Sequence, residues 1–138
     1  MFPLPLLLGT VALVSVVSTP LMIDLTVFPR ATADHGGNVV VRGTVQCSIA
    51  TTVSIEGEVV ESLNRTGVAI GQFFTEVICD TTPALWTATV TPTTGVAFRP
   101  GFAIVGVRAT GFDPENGIFA GVESLGTLQL TRSARDPR

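Results

Sequence analysis

The chain has no lysine, no tyrosine and a single histidine in 138 residues, and only two cysteines. Each shortage closes off a class of function. Without lysine, positive charge rests on eight scattered arginines, which leaves a net charge of −3. No basic stripe follows a phosphate backbone, so no nucleic-acid partner is expected. One histidine and two cysteines fall short of the ligands a zinc site takes, so neither a metal nor a cofactor is expected. Acid–base or nucleophilic catalysis needs a nucleophile, a base tuned near neutral pH and a group that orients the base. His35 stands in Asp34-His35-Gly36-Gly37, which reads as a solvated β-turn. No Gly-rich phosphate loop opens a helix, and no stretch holds a helical period. The expectation is a protein that is not an enzyme.

What is present is β-forming. Valine and threonine number 19 each, and such β-branched side chains suit a pleated, half-buried surface. Nine prolines and fourteen glycines are spread along the chain, as turn punctuation would be. Alternation is clear in Val39 to Cys47, where Val39, Val41, Val45 and Cys47 share a face against Arg42, Thr44 and Gln46. It recurs with Val53, Ile55 and Val59, with Trp86, Ala88 and Val90, and with Ala103, Val105, Val107 and Ala109. Leu128 and Leu130 repeat it near the end. A first strand around Leu25 to Phe28 and a long one from Val68 to Cys79 bring the total to about seven. Turn chemistry separates them at 34–37, Asn64-Arg65-Thr66-Gly67, Thr94-Gly95 and 113–117. Seven short alternating strands suit a sandwich or barrel.

Residues 1–23 carry no charged side chain, and Leu4 to Val17 form an apolar run. Residues 1–18 therefore read as a signal peptide cleaved before Thr19, although the n-region has no Lys or Arg. The alternative readings are a retained membrane anchor, the one route to a membrane in this chain, and an apolar first strand. Export places the cysteines in an oxidising compartment, where an even count reads as one disulfide, Cys47 to Cys79. Two buried free thiols are the alternative.

Four other groups of residues stand out. The Val68 to Cys79 segment is apolar on both faces, so Val68, Ile70, Phe74 and Ile78 are either covered or offered to a partner. Phe73, Trp86, Phe98 and Phe102 would line an apolar cleft if the core were open; otherwise they fill it. Glu56, Glu58 and Glu61 form an acidic cluster, expected to be the solvated face of an edge strand rather than a carboxylate pair for catalysis. Asp113, Glu115 and Asn116 crowd oxygen atoms into one loop, whose spacing fits a plain turn better than a calcium loop.

Gly43-Thr44-Val45-Gln46-Cys47, then Cys79-Asp80 with Pro83 and Trp86-Thr87-Ala88-Thr89-Val90, then Phe98-Arg99-Pro100-Gly101 give the chain a family character. Through them, residues 25–132 resemble a group of small secreted Ig-like proteins from actinobacteria. That resemblance implies fold and compartment only. In antibody-type domains the core Trp lies between the two cysteines; here Trp86 follows Cys79. In size and character the chain is also similar, more weakly, to the apoproteins of enediyne chromoproteins, secreted sandwiches that hold a small molecule and carry two disulfides. The combined expectation is an all-β chain: a single Ig-like antiparallel β-sandwich at 19–132, stapled by one disulfide, with a disordered tail at 133–138. Its expected role is a secreted or cell-surface module, present as one copy, that binds a protein or an envelope component. The alternative is a small-molecule carrier with an apolar cleft between the sheets.

Overall fold

The computed structural model describes residues 19–132; the signal or anchor segment at 1–18 and the tail at 133–138 lie outside the described residues. Eight strands follow in order: β1 (Ile23–Val27), β2 (Arg30–Ala33), β3 (Val39–Cys47), β4 (Thr51–Leu63), β5 (Gly67–Cys79), β6 (Ala84–Pro92), β7 (Gly101–Asp113) and β8 (Ile118–Arg132). A short 3-10 turn, Asn64–Thr66, joins β4 to β5.

The architecture departs from the expected antiparallel sandwich. Seven strands close a ring in the order β3–β2–β8–β7–β4–β5–β6 and back to β3, with β1 outside it on β3. The result is a closed, mixed barrel rather than two separate sheets, because β2 runs parallel to β8. The contact with β8 begins at Pro29. The amide of Phe28 still donates to the Arg42 carbonyl of β3 at 2.8 Å. By alternation the backbone of Pro29 faces away from β3, so its missing N–H takes nothing from that ladder. Its carbonyl accepts from the Gln129 amide of β8 at 2.8 Å, and β2 then bridges β8 and β3, pairing with β3 at Thr32–Val40 and Ala33–Val39. The other seam is the two-residue pairing of β5 with β6, Gly71 to Pro92 and Gln72 to Thr91. Gly71 permits this approach, since a Cβ there would stand 2.6 Å from the Thr91 carbonyl oxygen.

Inside the ring the alternation behaves as read. Val39, Val41, Val45, Val53, Ile55, Val59, Val90, Ala109, Leu128 and Leu130 all point into one core. Cys47 and Cys79 are bonded at the end of β3 and β5, with Cα atoms 5.6 Å apart. A second correction concerns β4. It is flanked by β5 and β7 along most of its length, so Glu56 and Glu58 stand on a central strand, not an edge.

Candidate functional site

The four aromatic residues considered for a cleft divide. Phe73, Trp86 and Phe98 are buried, whereas Phe102 is 69% exposed on the opposite face of β7. Phe73 and Trp86 stack with ring centroids 6.1 Å apart, and the Trp86 Nε1 donates to the Thr44 carbonyl at 3.3 Å. Trp86 presses on Gly43, where a Cβ would lie 2.7 Å from the indole. Three of the four residues therefore fill the core, and the four do not meet around a common cleft.

The candidate binding residues lie together on the outside. Val68, Ile70, Phe74 and Ile78 alternate along the outer face of β5, with Phe74 61% and Ile78 76% exposed. The face continues across β4, β7 and β8, which lie side by side. There it gains Phe102, Ile104, Phe112, Phe119 and Leu125, all exposed; Leu125 reaches 80%. Phe112 and Phe119 meet edge to face with centroids 5.2 Å apart. Sequence reading passed over Ile104 and Phe119 and took Phe112 only as part of a loop at 112–118, yet the signal was there. Ile104 and Phe112 have the parity of Arg108 on β7, opposite to the inward Val105 and Val107.

A charged band crosses the middle of this face. Register places Phe74, Glu56, Arg108 and Glu123 in one row and Gln72, Glu58, Gly106 and Leu125 in the next. Arg108 bonds Glu123 at 3.2 Å and reaches Glu56 at 3.9 Å. Gly106 contributes no side chain to this outward row, and the face holds an open depression of about 720 Å³ walled by Glu58, Gln72, Arg108, Glu123 and Leu125.

Two acids sit apart from this face. Glu61, third of the acidic cluster, has the inward parity of Val59 and is buried. Its Oε1 accepts from the Arg99 amide at 2.9 Å. Burial pushes its carboxyl above the usual range, against the lowering pull of that hydrogen bond and of the Arg99 charge. Asp113 caps the β7–β8 turn. Its Oδ2 accepts from Asn116 Nδ2 at 2.8 Å and from the Leu21 amide at 2.9 Å. Its Oδ1 accepts from the amides of Glu115 at 3.0 Å and Asn116 at 3.2 Å. The Asn116 side chain above all, with these amides, holds the Asp113 carboxyl below its ordinary range against the opposing effect of burial. Of the oxygens crowded in this loop, both of Asp113 are thus engaged within the protein. His35 lies in the exposed turn at 34–37, where the Asp34 Oδ1 accepts from the Asn38 amide at 3.0 Å. Among the described residues, no three His, Cys, Asp or Glu side chains stand together as a metal site.

No family model matches the chain, and no curated protein matches it in sequence. Among solved structures, the fold is similar to that of a protein described as ApaA from Bordetella pertussis. The two are 15% identical with a TM-score of 0.51, over 85% of this chain and 100% of that one. It is also similar to AggA, the major subunit of aggregative adherence fimbriae type I from Escherichia coli. Here the identity is 13% and the TM-score 0.45, over 85% of this chain and 98% of that one. At such identities the first likeness is one of fold alone.

Proposed function

We propose that the chain works outside the cytoplasm as a non-catalytic binding module. It engages a protein or envelope component through the outer face of β5, β4, β7 and β8. One observation carries this reading: Phe74, Ile78, Phe102, Ile104 and Leu125 are all exposed on one sheet face whose other side is a filled core. Soluble monomers rarely expose large apolar patches without a use for them. The Cys47–Cys79 bond supports a location where thiols are oxidised. The test is sedimentation of the purified chain with washed cells of its own host, beside a Phe74→Asp/Ile78→Asp double variant. Wild type should pellet with the cells and the variant should lose at least tenfold in binding. Equal recovery of both proteins in the supernatant would sink the proposal.

The carrier reading keeps one support, moved from the interior to the surface. The depression over Gly57 and Gly106 is of ligand-pocket volume, about 720 Å³, and joins the Leu125 side chain to carboxylates. An extra mass held by the protein in a native mass spectrum would favour it.

A further inference from the structure

β8 is fifteen residues long, yet on the edge away from β7 only its last four residues meet a strand. From Ile118 to Leu128 that edge is bonded to no strand among the described residues. The pairing with β7 runs without a bulge from Gly101–Leu130 to Asp113–Ile118, so the direction of each backbone group follows from one of them. The Gln129 amide points away from β7, to Pro29. By alternation, Phe119, Gly121, Glu123 and Leu125 also aim their N–H and C=O groups outward. The strand is exposed on its faces too: Ile118 is 54% and Phe119 72% exposed, while Ala120 and Val122 are only half-buried.

Natural edges are usually guarded by proline, by a bulge or by free charge. Residues 118–128 contain no proline and no bulge, and their one charge, Glu123, is already bound to Arg108. An edge of this kind is a template for another strand.

We propose that this edge pairs antiparallel with the same edge of a second copy, with the two-fold axis at Val122. The side chains select both occupant and register. With the axis there, Phe119 faces Leu125 of the other copy twice over, Glu123 faces Gly121, Ile118 faces Gly126 and Ala120 faces Ser124. Large side chains meet small or apolar ones, and no like charges oppose one another. Moving the axis to Glu123 sets two carboxylates face to face. Moving it to Gly121 sets Glu123 against Phe119 and leaves Leu125 opposite the turn. The ladder supplies about eight backbone hydrogen bonds, two for each outward-facing pair. Because the contact is isologous, it uses up both edges and stops at two copies instead of growing into a fibre. It is a small interface, so the dissociation constant should be on the order of tens of micromolar.

The test uses the full chain and two single-cysteine variants, since neither native cysteine is free. Val122→Cys places the two thiols at a close, non-hydrogen-bonded pair with Cα atoms about 4.5 Å apart, within disulfide range. Ile118→Cys places them eight residues apart along the strands, roughly 27 Å. Under mild oxidation, V122C should form a covalent dimer at least tenfold faster than I118C. Sedimentation equilibrium of wild type should show two copies dominating at about 0.2 mM, a concentration above the expected constant. L125K, altered at a solvent-exposed site, should remain a single copy there with an unchanged melting temperature. Wild type that stays a single copy at that concentration, or equal cross-linking of V122C and I118C, would overturn the proposal.

Discussion

Glu61 and Asp113 are two buried carboxyls on neighbouring strands of one barrel, and they respond to acid in opposite senses. The Glu61 pKa is raised on folding, so the folded state takes up a proton more readily than the unfolded chain. Its burial therefore costs stability above the folded pKa, and that cost fades as the pH falls toward 4.5. Glu61→Gln keeps an oxygen for the Arg99 amide and removes the charge. It should be at least as stable as wild type at neutral pH and converge with it near pH 4, as measured by urea unfolding across that range. The Asp113 pKa is lowered, so its contribution is present above its unfolded value and is lost as the pH falls through the folded one. Asp113→Asn should destabilise the protein at neutral pH and speed hydrogen exchange at the Leu21 amide, which the carboxylate now holds. An Asp113→Asn protein with unchanged Leu21 exchange would show that the cap does not anchor the chain ahead of β1.

At the scale of elements, legibility followed burial contrast. Val39 to Cys47 reads as a strand because every second residue faces the core, and β3 has these same bounds. β2 was invisible: Arg30-Ala31-Thr32-Ala33 is four residues long, and its inward positions are alanines that produce little hydropathy contrast. The first half of β8 was missed for a related reason. From Ile118 to Thr127 the inward positions Ala120, Val122 and Ser124 are small or only half-buried while Phe119 and Leu125 stand outward, so apolar and polar residues do not alternate. The cleft was misjudged by parity: Ala103 and Val105 had already been placed inward, which turns Phe102 outward. The two faces of β4 and β5 should separate cleanly under mutation. Ile55→Ala empties part of the core and should cost about 2–5 kcal/mol. Ile78→Ser changes an exposed position and should stay within about 0.5 kcal/mol in the same denaturant titration. Gly43→Ala, which drives a methyl into Trp86 and the Thr26 carbonyl, should cost about 1–3 kcal/mol.

For the whole molecule, the disulfide is the one covalent constraint between distant parts of the described chain. It spans a sequence separation of 32 and ties the end of β3 to the end of β5. In the chain-entropy picture, closing such a loop stabilises the fold by about 3–4 kcal/mol. The Cys47→Ala/Cys79→Ala variant should accordingly unfold at a markedly lower denaturant concentration, with its strand content retained in water. The pairing itself was readable from the count and spacing of two residues. The ring was not, because it depends on a four-residue parallel contact between segments a hundred positions apart in sequence.

That contact also sets a timetable. Arg30–Ala33 pairs on one edge with Val39 and Val40 soon after it is made, but on its other edge only with Gln129–Arg132, so one side of the first-made part of the barrel waits for nearly the last-made part. A ribosome or an export channel delivers the two in that order, and until the second emerges the seam stands open. The chain thus stays unlatched for as long as it is being threaded, and locks only after the thread has passed.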